Sequence, residues 1–248
     1  TFGYEFVVIT FICMGIFLAL ITYWIVPEMK TSAEVPMLSN VKEVLTNGRV
    51  ILCCIFAGLM VGPLEGFADV WGSAFLKQVY GYEGTTASSL LSMIFIGMCF
   101  GAPVLSFVAE QAKSYVGTIV GAGFIMAASF FAMLMWPLSS GTLSFSFVLI
   151  GVCSAYQILA IYQASTYVAE NVAGLTTAVA NMIIMIFGYA FHTTIGATIN
   201  SAGGTADSTA LLYGVSVVPI ALCLGTVGFI SILIIDKSRE RKIEPVKT

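Results

Sequence analysis

The sequence predicts an all-α integral membrane protein with seven transmembrane helices, six of them arranged as a 3+3 inverted repeat. Three observations carry that prediction. Of the 248 residues, 58% are hydrophobic and 9% charged, and the mean hydropathy is +0.98, far outside the range of water-soluble domains. The apolar residues gather in runs at roughly 6–27, 50–79, 86–109, 115–136, 143–169, 175–199 and 211–235, each long enough to cross about 30 Å of hydrocarbon. The costly polar residues inside those runs fall at corresponding places in two sets of three. Continuous hydrophobicity also excludes an outer-membrane barrel, whose strands alternate over about ten residues.

The first run is too long, and its flanks too poor in basic residues, for a cleaved signal peptide. It is expected to be a single transmembrane helix within 1–27. A polar central loop follows at 28–49, flanked by Pro27, containing Pro36, and carrying a short surface helix at 38–46. Residues 50–236 form the six-helix domain and 237–248 a polar tail. Of the ten Lys and Arg residues, only Lys77 falls opposite the side shared by Lys30, Lys42, Arg49, Lys113, Lys237, Arg239, Arg241, Lys242 and Lys247. The positive-inside rule then makes the loop and the C-terminal tail cytoplasmic and starts Thr1 outside. With Asp236, Glu240 and Glu244 interleaved, the tail is a stop-transfer flank. No basic patch points to nucleic acid.

The second run holds the stretch around which the rest is organised, from Gly62 to Gly72. Glu65 and Asp69 sit there, beside Gly62, Pro63 and Gly66. A carboxylate at bilayer depth costs roughly 2.5–3.5 kcal/mol on insertion scales and normally faces protein or an aqueous cavity. Irregular backbone at that depth survives only in the same places. Four residues apart on a helix, the two carboxylates share a face. Like charges so close favour proton uptake by one of them, the equipment of a proton-coupled carrier.

The third run opens on Thr85, Thr86, Ser88, Ser89 and Ser92 and then carries Gly97 and Gly101, a spacing that lets helices pack closely. Gly117, Gly121 and Gly123 mark a packing face in the fourth. The break at Pro137-Leu138-Ser139-Ser140-Gly141 separates two groups of three helices. Three is odd, so the second group crosses with inverted topology, a transporter architecture. In the fifth run Tyr156, Ala160, Gln163 and Tyr167 recur at helical spacing with Gln157 beside them, suiting either a hydrated cavity wall or interhelical hydrogen bonds. In the sixth, Asn181, Met185, Gly188 and the only histidine, His192, follow one helical line. A lone histidine there is either a hydrogen-bonded core residue or a proton relay. The seventh carries no charge over 211–235. Polar, interrupted helices opening each half, with Glu65 and Asp69 in one and Tyr156, Gln157 and Gln163 in the other, point to a substrate site at mid-depth.

The six cysteines all lie in apolar runs and form neither a disulfide framework nor a CxxC pair. No metal site and no cofactor are expected. No HExxH or GxSxG motif occurs, so the chain is not expected to be an enzyme.

Three stretches resemble the major facilitator superfamily, in its sixth helix, central loop and C-terminal six-helix domain. They are Phe67-Ala68-Asp69-Val70-Trp71-Gly72 with Val79-Tyr80-Gly81, then Ile96 to Pro103, then Glu170-Asn171 leading through Gly174 and Thr177 to Asn181. The first two look most like bacterial nutrient importers of the phagosomal-transporter type, which carry amino acids or nucleosides. The superfamily's short loop motif is reduced here to Ser106–Lys113. The resemblance implies a cytoplasmic latch with Glu110 in place of an aspartate, Lys113 nearby and Glu170 at the matching turn. It also implies a major-facilitator-like bundle of which this chain is the latter part, since a chain opening on Thr1 with a lone leading helix looks like one whose N-terminal domain is missing or belongs to another segment.

The function expected is secondary active transport of a small polar solute, an amino acid or nucleoside, by alternating access in the bacterial inner membrane, with a proton as coupling ion. Glu65 and Asp69 would couple protons or bind substrate, and Trp71, Tyr156, Gln157, Gln163, Asn181 and His192 would line the cavity. The alternatives are an exporter of drugs or siderophores and a non-transporting receptor or assembly subunit whose polar residues only hold helices together.

Overall fold

The computed structural model describes residues 4–25 and 37–243. The prolines at 27 and 36, Lys30, and Glu244 and Lys247 of the tail lie outside the described residues. Among the described residues there is no strand, and seven helical spans are long and apolar enough to cross a membrane. They are Tyr4–Ile25, Gly48–Val79, Gly84–Ala112, Tyr115–Met135, Ser140–Ser165, Glu170–Ser201 and Ser208–Ser238.

The chain divides into two units, with α1 (Tyr4–Ile25) in the first and everything from Leu38 in the second. Beyond Glu5 in its first turn, α1 carries no charge, and its Thr10 and Thr22 hydroxyls donate back to the carbonyls of Phe6 and Leu18, which removes them as polar liabilities.

The second unit opens on α2 (Met37–Thr46). Asn47 then caps α3 (Gly48–Glu65), its Oδ1 accepting from the Arg49 amide at 3.1 Å. A π-helical turn, Gly66–Trp71, and α4 (Gly72–Val79) complete that span. Next come α5 (Gly84–Ala112) and α6 (Tyr115–Met135). Only Lys113 and Ser114 separate them. Lys113 adopts φ 50°, a left-handed conformation, and the Ser114 amide reaches back to the Ala109 carbonyl at 3.2 Å. The second half holds α7 (Ser140–Ser154), α8 (Tyr156–Ser165), a 3-10 turn at Glu170–Val172, α9 (Ala173–Ser201) and α10 (Ser208–Ile243).

The halves pack reciprocally. α5 lies along α7, the opening helix of the other half, and α9 lies along α3 in the same way, while α6 and α10 pair with each other. That is the pattern an inverted repeat requires. Glycines make the closest approaches. A Cβ at Gly97 would strike the Val148 carbonyl, and one at Gly151 would strike the Ile94 carbonyl and the Gly97 Cα. These backbones therefore touch directly, as small residues at helix crossings permit. On α3, Gly58 and Gly62 meet Phe187 of α9. The core between the layers centres on Phe67, fully buried, with ring centroids 5.9 Å from Phe75, 5.1 Å from Phe130 and 6.0 Å from Phe147.

Candidate functional site: a carboxylate pocket at two helix breaks

The span that carries Glu65 changes helix type where the sequence concentrates its glycines. Pro63 lies inside α3 and has no amide to donate. From Gly66 the helix widens to a π turn, which closes when the Gly72 amide bonds to the Phe67 carbonyl, five residues back. The wide turn sends neighbours in opposite directions. Phe67 enters the aromatic core while Asp69, two residues on, is exposed, and Glu65 just before the turn is half-buried.

The second break was not evident in the sequence, which predicts one helix over 143–169. Ser154 Oγ donates to the Gly151 carbonyl at 2.7 Å, the carbonyl that the Ala155 amide would reach in a continuous helix. That amide turns to the Val152 carbonyl at 3.3 Å, and α7 ends.

The two breaks face one another across a pocket of about 100 Å³. Glu65 and Asp69 border it from the α3 side, Phe95 and Met98 from α5, and Ser154 and Gln157 from the α7–α8 break. Gln157 Nε2 donates to Asn181 Oδ1 at 3.4 Å, bringing α9 into the same polar group. None of the described Lys or Arg side chains borders the pocket, where the two carboxyl groups stand without a basic neighbour.

Trp71 and His192 meet in the α3–α9 seam. The indole Nε1 donates to the His192 backbone carbonyl at 3.2 Å, and the ring covers Gly196, where a side chain would collide with it. His192 lies beside Gly66, and its Nε2 is buried without a hydrogen-bond partner.

Two residues expected in the cavity lie elsewhere. Tyr156 is fully buried and donates its hydroxyl to the Ala57 carbonyl of α3 at 2.8 Å, so it ties the helices together inside the core. Gln163 is two helical turns further along, at the end of the bundle that carries Arg49. Its Nε2 donates to Tyr167 Oη at 2.9 Å, and that hydroxyl donates to Asp236 Oδ2 at 2.6 Å. Arg49 completes the cluster, 3.8 Å from Asp236 and with its guanidinium carbon 5.4 Å from the Tyr167 ring centroid. Asn47 Nδ2 donates to the Tyr167 carbonyl at 2.9 Å. Burial, and then the bond to Asp236, raise the Tyr167 phenol above its ordinary pKa. Arg49 and Asp236, read from sequence as a loop charge and the edge of the tail, are thus the two halves of the ion pair found among the described residues.

Glu110 and Lys113 are exposed near this same end, as is Glu170 in the 3-10 turn. Among the described residues, no three His, Cys, Asp or Glu side chains converge as a metal site would need.

No family model matches the chain, and no curated protein matches it. Among solved structures it is similar to the crystal structure of a bacterial homolog to the human lysosomal transporter Spinster, inward-facing and unoccupied. The two share 15% sequence identity with a TM-score of 0.56, over 88% of this chain and 57% of the other. This chain therefore spans less than two thirds of that protein's length. At this identity the likeness is one of fold, an all-α bundle of membrane-spanning helices.

Proposed function

We propose that the second unit is the solute-binding half of a secondary active transporter that works by alternating access. The observation that carries this reading is the pocket where both opening helices break, with Glu65, Asp69, Ser154 and Gln157 around it. Broken helices at corresponding places in two repeats are where carriers bind solutes. The similarity in fold to a transporter supports the same reading. Two carboxylates with no basic partner suit proton-coupled import of a small polar solute, an amino acid or nucleoside, over transport of an anion. In this scheme Glu65 and Asp69 bind or couple, Gln157 and Asn181 supply donors and acceptors, and Trp71 and His192 support the wall. Tyr156 acts through packing, and Gln163 belongs to the Arg49–Asp236 cluster. The end of the bundle with Arg49, Lys113 and Lys237 faces the cytoplasm of a bacterial inner membrane by the positive-inside rule. Glu110, Lys113 and Glu170 form a latch there.

The test is uptake of a labelled amino-acid and nucleoside panel by cells expressing the complete reading frame, with and without a protonophore, for wild type and Asp69→Asn. Accumulation that collapses under both treatments is the expected result. No accumulation of any compound, with the protein present in the membrane, would shift the reading to export or to a non-transporting role.

A further inference from the structure

Where α9 crosses α3, one glycine stands apart from its neighbours in the seam. Gly58 and Gly62 make room for Phe187, Gly66 for Ile195 and His192, and Gly196 for the Trp71 ring. These are helix-packing contacts. A Cβ at Gly188 would meet something different, Glu65 Oε2, with only the carboxyl carbon of the same residue otherwise within 4 Å. Close approach of the helix backbones therefore does not explain Gly188. The missing side chain leaves a notch in α9 that the carboxylate oxygen fills.

Glu65 also borders the pocket shared with Asp69 and Gln157, so its carboxyl group bridges notch and pocket. The other ionisable groups around it are Asp69 from its own span, Tyr156 from α8 and His192 one turn along α9. None of the described hydrogen bonds or ion pairs holds the carboxylate. Its orientation is set by shape.

We propose that Gly188 is a positioning residue for Glu65, keeping the carboxylate seated at the mouth of the pocket. The proposal rests on the reading of Glu65 as a working carboxylate of a carrier. Gly188→Ala puts a methyl group where Oε2 lies and turns the carboxylate out of the seam. Alanine is the best helix former, so α9 itself tolerates the change.

The test uses the full chain in lipid vesicles with two readouts. The first is labelling of residue 65 by a water-soluble carbodiimide, followed by mass spectrometry. The second is transport of the solute found in the uptake panel, for wild type, Gly188→Ala, Glu65→Asp and the pair combined. Glu65→Asp withdraws the carboxylate by one methylene and relieves the collision. Expected are about tenfold faster labelling of Glu65 in Gly188→Ala and about a tenfold rise in KM, with the Gly188→Ala defect reduced when Glu65→Asp is combined with it. Wild-type labelling and KM in a folded Gly188→Ala protein would overturn the proposal, as would a defect that Glu65→Asp leaves unchanged. If Gly188→Ala does not fold, adding Glu65→Ala must restore the fold, and failure to do so would also overturn it. Glu65→Gln tests the underlying reading separately: wild-type transport by that variant removes Glu65 from the carrier, while the labelling result still decides whether the notch seats it.

Discussion

Removing the carboxylate of Asp236 should unfasten three segments at once. Its Oδ2 accepts the Tyr167 hydroxyl at 2.6 Å and its Oδ1 lies 3.8 Å from Arg49, which also sits over the Tyr167 ring. The hydroxyl-to-carboxylate bond is charge-assisted and contributes about 1.5–3 kcal/mol. The ion pair is long and its side chains are 33% and 24% exposed, so it adds only about 0.5 kcal/mol. Asp236→Ala should therefore cost about 2–3 kcal/mol, lowering the unfolding midpoint by about 5–10 °C for a domain of this size. Tyr167→Phe keeps the ring beneath Arg49 and should cost about 1.5 kcal/mol. The double variant should fall short of additivity by about 1–2 kcal/mol, since both changes remove one bond. Thermal unfolding in lipid nanodiscs measures all three. Single variants within about 0.5 kcal/mol of wild type, or full additivity, would refute the assignment of this cluster as a joint. The pH dependence supplies a sign. A phenol whose pKa is raised by folding contributes stability that is fully present below its ordinary value near 10 and is lost as pH rises above it. Wild type should weaken at alkaline pH, and Tyr167→Phe should lack that part of the loss.

Other perturbations separate packing from function. Gly151→Ala drives a methyl group into the Ile94 carbonyl and the Gly97 backbone and should greatly reduce folded protein recovered in detergent, whereas Gly121→Ala meets nothing within 4 Å and should be neutral or stabilising by up to about 1 kcal/mol. Tyr156→Phe should lower stability by about 1 kcal/mol while leaving KM unchanged, since the hydroxyl is spent on the Ala57 carbonyl; a KM shift would return Tyr156 to the cavity wall. On a background with the native cysteines replaced, Asp69→Cys should react with a water-soluble thiol reagent, whereas Tyr156→Cys should stay unreactive. Equal reactivity at the two positions would mean that the bundle is hydrated differently from the arrangement described.

Apolar run length located the spans well because it registers the membrane's thickness directly: the run at 50–79 became Gly48–Val79, and that at 115–136 became Tyr115–Met135. The spacing of Gly97 and Gly101 likewise anticipated a close crossing, since a helix face with no side chains has few other uses. Glu65 and Asp69 do border one pocket, and Gln157 joins them. Depth and long-range partnership were harder to read. Periodicity places Tyr156, Gln163 and Tyr167 on one face, but it does not reveal that Tyr156 is sealed against α3 or that Tyr167 answers to an aspartate 69 positions later. The break itself was legible in Gly62, Pro63 and Gly66, but its form as a π turn was not, since no local pattern shows that Phe67 joins the rings of Phe75, Phe130 and Phe147 while Asp69 is exposed.

That turn also has a bearing on phase. An α-helix advances about 100° per residue, so the extra residue accommodated between Gly66 and Trp71 resets the azimuth of everything after it. A tolerance map made by mutating each position from Gly48 to Val79 should show two separate periodic patterns that fail to join across the turn. Shortening the turn by one residue should let α-helical geometry run through it while keeping α3 and α4 in their present orientations. The same deletion within α3, between Val50 and Leu59, has no such slack to absorb it and would rotate the Glu65 carboxylate off the pocket.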